Sequence, residues 1–173
     1  IQGLRILNVS DVAHPYEVAS CQDPDHQGVY VQGNYVYSTD LWHNRLRITE
    51  VSNPTAPICG YADVSMTQGP YRIALAGNYA YVAGGYGGFR VYDVSNPANP
   101  TQVGSFAMAG EVESVAIAGT RAYIGADEGG MRVLDVSNPS TPLEIGAFVG
   151  SDYRIKMVAV RPDQGDYIFA AYT

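Results

Sequence analysis

The chain has 173 residues, of which 46% are hydrophobic and 16% are charged, and its net charge is −7. This length fits one domain, and the apolar fraction is too high for an intrinsically disordered chain. No apolar run approaches the roughly 20 residues that a membrane helix needs. An acidic chain with a single lysine, Lys156, is poorly suited to nucleic acid. We therefore expect neither a membrane span nor a nucleic-acid partner.

One short segment recurs four times along the chain, starting at Leu4, Leu46, Phe89 and Met131. These starting points divide the chain into four repeat units, residues 4–45, 46–88, 89–130 and 131–173. A period near 42 residues combined with strand-like alternation is typical of β-propellers, whose blades are four-stranded sheets. The sequence therefore predicts a single all-β domain, a propeller that spans residues 1–173 in part or as a whole.

Each unit can be divided into four strands, as the stretch from 72 to 106 illustrates. Residues 72–76 are predicted as the innermost strand, and the pair Gly77-Asn78 as a hairpin turn, because both residue types tolerate positive φ. Two further strands follow, and a Ser-Asn-Pro sequence then ends the third, because proline cannot donate to a ladder. The outer strand is short and polar, which suits an exposed edge.

The recurring sequence of a hydrophobic residue, arginine, a hydrophobic residue, any residue and then Asp-Val-Ser-Asn-Pro stands clearest at residues 89–97 and 131–139. It resembles the LVIVD repeat, a β-propeller repeat of bacterial and archaeal proteins. The copy at 4–15 departs from it, with Asn8 at the acidic position and Val12 in place of the first proline. The resemblance implies a propeller and a secreted or surface-attached protein, and it implies little about activity.

The chain begins in the third strand of one predicted blade and ends in the second strand of another. In one interpretation the chain is a closed four-blade ring, in which strands within 4–21 complete the blade begun within 153–173. In the other it is an internal part of a larger propeller. We favour the larger propeller, because terminal repeats are usually atypical caps and these are not.

Strand alternation predicts that the variable loops, which enter the inner strands and join the second strands to the third, lie together on one face. Function is expected on such loops, since a rigid scaffold positions them. The candidate binding residues on this face are Asp23, Asp25, His26, Asp40, Trp42, His43, Asn44, Tyr86, Glu111, Glu113, Asp127, Glu128, Asp152, Tyr153 and Arg154.

The loop 40–45 differs from its counterparts because it is one residue longer and carries large side chains instead of glycines. It contains Trp42, the only tryptophan, next to His43 and Asn44. Such a group could stack on a sugar or anchor a partner protein. The competing interpretation is that Trp42 packs between blades.

Metal binding has two starting points in this sequence. Asp23, Asp25 and Gln27 match the first positions of a calcium loop, but the closing acidic ligand is missing, so an Asp-Pro turn is the preferred interpretation. His26 and His43 fall on the same predicted face, without the spacing of a zinc motif. We predict no metal and no cofactor.

Two further predictions concern structural contacts. Cys21 and Cys59 fall in the outer strands of successive units, which we expect to diverge, so two separate thiols are favoured over a disulfide. The recurring arginine and the recurring acidic residue, as in Arg90 and Asp93, are expected to brace a turn or join neighbouring blades.

Three functions are compatible with these features. The favoured one is a non-catalytic scaffold, extracellular, at the cell surface or periplasmic, that binds proteins or surface glycans. The second is a structural subunit of a surface layer, sheath or filament that assembles through its sheet edges. The third is a glycan-active enzyme that uses paired carboxylates of the acidic loops. No nucleophile or phosphate-binding motif supports the enzyme.

Overall fold

Residues 3–23, 26–150, 154–160 and 167–172 are described in a computed structural model of the chain, and every regular element within them is a β-strand. None of these residues belongs to a helix long and apolar enough to cross a membrane. The strands are β1 (Gly3–Asn8), β2 (Tyr16–Gln22), β3 (His26–Gln32), β4 (Tyr35–Asp40), β5 (Arg45–Glu50), β6 (Ile58–Ser65), β7 (Arg72–Ala76), β8 (Tyr79–Ala83), β9 (Phe89–Asp93), β10 (Thr101–Phe106), β11 (Ser114–Ala118), β12 (Arg121–Gly125), β13 (Met131–Asp135), β14 (Leu143–Phe148), β15 (Ile155–Val160) and β16 (Ile168–Tyr172).

The described strands form three four-stranded antiparallel sheets, each with its strands in chain order. We call them the first full sheet (β3–β6), the second full sheet (β7–β10) and the third full sheet (β11–β14). Two half-sheets, β1–β2 and β15–β16, stand at the two ends of the series. The strands predicted for the stretch 72–106 match β7 to β10 to within one residue at each end.

The core lies between consecutive sheets. The inner strands β3, β7, β11 and β15 contact one another in that order. Because side chains alternate between the two faces of a strand, each full sheet can pack on both neighbours. Ile48 of the first sheet packs with Ile73 of the second, and Phe89 of the second packs with Leu134 of the third.

The tight turns between inner and second strands repeat closely. Gly33, Gly77 and Gly119 have φ values of +58°, +57° and +57°. In the described residues Asn34 and Asn78 do not share this left-handed conformation, so the positive φ lies at the first central residue alone, as in a type II′ turn. Both residues had been expected to tolerate positive φ, and only the glycine uses that freedom.

The Ser-Asn-Pro loops are held by their own side chains. The carboxylates of Asp93 and Asp135 each accept a hydrogen bond from the backbone N–H two residues later, at 2.8 Å. Further along each loop, the side-chain oxygens of Asn96 and Asn138 likewise accept a hydrogen bond from the backbone N–H two residues later. The hydrogen bond from Ser95 lowers the pKa of Asp93. The acidic residues therefore brace the turn, as predicted.

Among the described residues the recurring arginines form no ion pair with these acidic residues, which corrects half of that prediction. Three of them, Arg5, Arg47 and Arg132, reach carboxylates of the outer strand instead. Arg5 pairs with Glu17, and Arg132 lies 3.4 Å from Glu144. The reason is the register: an arginine on the third strand faces the outer strand across the ladder, and the acidic residue sits beyond the ladder in the turn.

The prediction of two free thiols was wrong. Cys21 of β2 and Cys59 of β6 form a disulfide, with Cα atoms 5.6 Å apart. Both residues lie in outer strands, as expected, but these strands do not diverge here. The bond joins the half-sheet β1–β2 to the first full sheet.

Candidate functional site

The variable loops lie together at one end of the sheets, which we call the loop face. The β8–β9 loop of the second sheet bridges to the segment before β11 through Gly85 and Val112, and the corresponding loop of the third sheet bridges to β15 through Asp127 and Ile155. Each loop thus holds the start of the next inner strand. The loop face is where the structure concentrates charged side chains.

Five charged residues form the first group on this face, the arginine–aspartate cluster: Asp23, Asp40, Arg45, Arg47 and Asp63. Arg45 lies 2.6 Å from Asp23, 2.9 Å from Asp40 and 3.1 Å from Asp63. Arg47 also pairs with Asp23, and it lies 2.8 Å from Asp63. Because Asp23 follows β2, the cluster joins the half-sheet to the first full sheet.

Asp40 is the most deeply placed member, and its side chain is fully buried. It accepts a hydrogen bond from the backbone N–H of His43 at 3.0 Å, and its Oδ2 lies 2.7 Å from Nδ1 of the same histidine. Burial alone raises the pKa of Asp40, but the hydrogen bonds from His43 and Arg45 outweigh it and bring the pKa below its usual value. Asp40 is therefore an ionised anchor for the loop.

His26 stands beside this cluster at the start of β3. Both ring nitrogens are buried and have no hydrogen-bond partner among the described residues. Burial lowers the pKa of His26, and the nearby carboxylates of Asp23 and Asp40 offset that effect only in part. The ring is thus held neutral in a charged neighbourhood.

A metal ion at this place would use Asp23, Asp40 and His43, whose ligand atoms lie within 4.8 Å of one another. The two arginines already occupy the carboxylate oxygens that such an ion would need. Binding a divalent cation would require displacing a guanidinium from a buried pair, which is costly. For the calcium hypothesis, Asp25 lies outside the described residues, and the carbonyl of Gln27 accepts a hydrogen bond from Arg72.

A second group, the lysine–carboxylate cluster, lies where the third full sheet meets β15: Glu113, Asp127, Glu128, Arg154 and Lys156. Lys156 pairs with Glu113 and lies 3.3 Å from Asp127. Arg154 lies 2.6 Å from Glu128 and 3.4 Å from Asp127. The hydrogen bond to Glu113 is the main cause that raises the pKa of Lys156. All three carboxylates are therefore countered by a cation.

Glu111 has a different partner from the other acids of this face. The hydroxyl of Tyr71 donates a hydrogen bond to it at 2.8 Å. Burial, together with this bond, raises the pKa of Tyr71 to about 12. Tyr71 directly precedes the second full sheet and Glu111 precedes the third, so the bond ties neighbouring sheets together at the loop face.

Asp127 has a left-handed backbone, with φ of +35°. In the equivalent loop of the second sheet Gly85 has φ of +57°. Non-glycine residues avoid this region unless the surroundings hold them there. The ion pairs with Arg154 and Lys156 hold Asp127 in this conformation.

Two aromatic side chains project from the loop face into solvent. Trp42 is 77% exposed and Tyr86 is 72% exposed. They occupy the β4–β5 and β8–β9 loops, the same connection in neighbouring full sheets. The interpretation that Trp42 packs between blades is therefore wrong.

Beside Trp42, the side chain of His43 is about half exposed. Asn44 takes a left-handed φ of +51° and accepts a hydrogen bond from the backbone N–H of Met66. The exposed tryptophan thus stands on a loop that is fixed at both of its ends.

Of the candidate residues, Asp152 and Tyr153 lie outside the described residues, as Asp25 does. The structure brings most of the others into the two charged clusters and the two aromatic loops, whereas His26 lies beside the first cluster and Glu111 bonds to Tyr71. Arg45, Asp63 and Tyr71 were not among the candidate residues predicted from the sequence. Asp63 could be recognised only from its position opposite Arg47 in the β5–β6 ladder. A β-bulge between these strands sets that position, and the sequence does not show it.

The consecutive four-stranded sheets with adjacent inner strands define a β-propeller-like fold. The sequence profile of the LVIVD repeat matches residues 25–60, 71–108 and 109–149. The chain belongs to the LVIVD-repeat family. No curated protein matches its sequence closely enough to count as a relative.

Solved structures share the fold at low sequence identity. A 6-phosphogluconolactonase-like protein from Bacteroides fragilis NCTC 9343 has a TM-score of 0.77 at 11% identity, covering 98% of this chain and 57% of its own. A functionally unknown protein from Desulfotomaculum acetoxidans DSM 771 has 0.76 at 13% identity, covering 95% and 54%. The computationally designed Ika4 protein has 0.66 at 11%, covering 87% and 92%. The chain thus spans a little over half the length of the two natural proteins.

Proposed function

We propose that this protein is a non-catalytic binding scaffold that acts outside the cell or at its surface. Its loop face binds a surface glycan or a partner protein, with Trp42 and Tyr86 as the contact residues. The observation that carries the proposal is the exposure of both aromatic rings on neighbouring, well-fixed loops. Large aromatic side chains left in water on a rigid support are favoured contacts for ligands.

A glycan is the ligand that these aromatic side chains favour. A protein hot spot usually lies in a desolvated pocket, whereas Trp42 stands open with the polar side chains of His43 and Asn44 beside it. An exposed ring of this kind can cover the apolar face of a sugar while its neighbours bond the hydroxyls. The net charge of −7 favours neutral glycans over acidic ones.

The state of the carboxylates supports binding rather than catalysis. Asp23, Asp40 and Asp63 are paired with arginines, and Glu113 and Asp127 with Lys156. Glycoside hydrolysis needs one carboxylic acid and one free carboxylate facing the bond. Carboxylates held in ion pairs suit neither role.

The disulfide between Cys21 and Cys59 bears on the compartment in which the protein acts. Disulfides persist in oxidising surroundings such as the extracellular space and the periplasm. This supports a location outside the cytosol, as the family resemblance implies.

Trp42 is the only tryptophan in the chain, so its fluorescence reports directly on the proposed site. We would titrate the protein with neutral oligosaccharides, amino-sugar oligosaccharides and uronic-acid oligosaccharides. The expected result is a saturable change of Trp42 emission with a neutral glycan and a smaller one with uronic acids. Tyr86→Ala should weaken that binding by about tenfold, the loss of roughly 1.4 kcal/mol.

Tyr16→Ala is the matched control, because Tyr16 is 58% exposed but lies on β2 away from the loop face. It should bind like the unchanged protein. The glycan assignment fails if no oligosaccharide alters the emission. The whole proposal fails if, in addition, Trp42→Ala leaves binding to whole cell-surface material unchanged.

A further inference from the structure

The first copy of the recurring turn carries an asparagine where the other copies carry an acid. Asn8 ends β1, and its counterparts are Glu50, Asp93 and Asp135. The triplet Asn8-Val9-Ser10 has the sequence of an N-glycosylation acceptor, which is asparagine, any residue but proline, and then serine or threonine. The repeat places this triplet at the end of the sheets that carries the glycine turns, which we call the turn end. The binding function proposed above does not use it.

The side chain of Asn8 is held in one orientation. Its Oδ1 accepts hydrogen bonds from the backbone N–H of Ser10 at 2.9 Å and from the hydroxyl of Ser10 at 2.7 Å. Because a backbone N–H can only donate, the atom that faces it is the carbonyl oxygen, and the amide nitrogen Nδ2 is directed away from Ser10. In the part of the chain that the structure describes, Nδ2 has no hydrogen-bond partner. The nitrogen that a sugar would modify is therefore available.

Access to this position of the repeat can be judged in the second full sheet, which has a full sheet on each side. There Asp93 accepts the same hydrogen bond from the backbone N–H of Ser95, at 2.8 Å. Asp93 is partly exposed in these surroundings, and Ser95 is exposed. Neighbouring sheets thus leave the position open to solvent. Asn8 and Ser10 have the same degrees of exposure.

Three other triplets in the chain have an asparagine two residues before a serine or threonine, and each has proline in the middle. They begin at Asn53, Asn99 and Asn138. Asn53 and Asn138 also accept a hydrogen bond from the hydroxyl two residues later, at 2.8 Å in each case. Proline in the middle excludes a triplet from glycosylation. Asn8 is therefore the only asparagine in the 173 residues that meets the sequence rule.

We propose that Asn8 is an N-glycosylation site and that the mature protein carries an oligosaccharide there. The donor is a glycosyl diphosphate. Nδ2 of Asn8 forms a bond to C1 of the first sugar, and the bond from C1 to the diphosphate oxygen breaks. The diphosphate leaves with that electron pair, and Nδ2 gives up one proton. The modification is typical of surface positions in secreted proteins, so the proposal shares the location outside the cytosol argued above.

The oligosaccharide would stand at the turn end, at the opposite end of the sheets from Trp42 and Tyr86. A bulky hydrated group there shields the turn end from other molecules and leaves the loop face accessible. The site is therefore independent of what the loop face binds. Removing the oligosaccharide should leave the Trp42 fluorescence titration unchanged, so the two proposals fail in different measurements.

The direct test is peptide mapping of the protein purified from the cells that make it. Cleavage after arginine gives the fragment 6–45 with Asn8, and it gives the fragments 48–72, 91–121 and 133–154 with the three proline triplets. After reduction of the disulfide, fragment 6–45 should gain the mass of whole sugar residues, whereas the other three should keep their plain masses. An amidase that releases N-linked oligosaccharides should leave an aspartate at Asn8. An unmodified fragment 6–45 overturns the proposal.

Variants separate the acceptor from the turn. Asn8→Asp restores the acid of the other copies and can accept the same hydrogen bond from Ser10, so the chain should fold and lose the oligosaccharide. Ser10→Ala should lose it as well, whereas Ser10→Thr should keep it. Each variant is secreted from a host that glycosylates asparagine, and its intact mass is compared with the 18.6 kDa of the plain chain. Sugar retained in Asn8→Asp or in Ser10→Ala would overturn the assignment, as would its loss in Ser10→Thr.

Discussion

The two ends of the sheets are built on opposite principles. At the turn end the same short sequence solves the same local problem in each sheet, with a glycine turn and a loop braced by its own side chains. At the loop face every sheet differs, and several ion pairs join one sheet to the next. Repetition maintains the scaffold, and the departures from it create the variable loop face.

The largest expected effect on stability comes from removing the disulfide between β2 and β6. Replacing both Cys21 and Cys59 by serine should lower the free energy of unfolding by about 4 kcal/mol, because the bond closes a loop of 38 residues. Urea unfolding with and without reductant measures it. If the reduced wild-type protein and the serine variant match the oxidised protein, the half-sheet is held by the charged cluster alone.

The next effect tests the arginine–aspartate cluster. Asp40→Ala removes a fully buried carboxylate and leaves Arg45 without one of its partners. The expected loss is about 3 kcal/mol of unfolding free energy, measured by denaturant titration. Asp40→Asn, which keeps the size and one acceptor, should cost less. An equal loss for both variants would show that the negative charge of Asp40, rather than its size or its remaining acceptor, stabilises the cluster.

At the turn end, replacing a turn glycine by alanine should have a smaller effect on stability, and the effect should be the same in all three full sheets. Gly77→Ala places a side chain at φ +57°, where nothing else lies within 4 Å of the new Cβ. The cost is therefore that of the backbone alone, about 1 kcal/mol. Gly33→Ala and Gly119→Ala should match it in thermal unfolding. Unequal losses among the three variants would mean that the three turns differ in energy although their glycine φ values are nearly equal.

The smallest effect concerns His26 and pH. Its pKa is lowered in the folded protein from the ordinary value of 6.5, so the unfolded chain binds the proton more readily. Stability is therefore complete above pH 6.5 and declines as the pH falls toward the folded pKa. Melting temperatures between pH 7 and 5 should show this decline in the wild type and a reduced one in His26→Gln.

His14→Gln is the control for that measurement, because the side chain of His14 is 83% exposed. It should keep the full decline. A decline that persists in His26→Gln would assign it to other groups. Asp40 and Asp63 have lowered pKa values, so their contribution is lost only near and below 3.8.

What the sequence predicts well is what the repeat determines locally. The strand 72–76, the turn glycines and the Ser-Asn-Pro loops depend on neighbouring residues, and they were predicted to within a residue or two. The disulfide and the arginine–aspartate cluster depend on the twist between one sheet and the next. No spacing in the sequence encodes that angle, so Cys21 and Cys59 were expected to lie apart.

The position of the Cys21–Cys59 bond has a mechanical consequence. It joins the rim of the half-sheet to the rim of the first full sheet across 38 residues of chain. Under tension applied to the two ends of the protein, the enclosed segment cannot lengthen while the bond is intact. At about 3.4 Å per residue, roughly 130 Å of contour is withheld from extension. Under such tension the first full sheet would resist unfolding and the later sheets would yield before it.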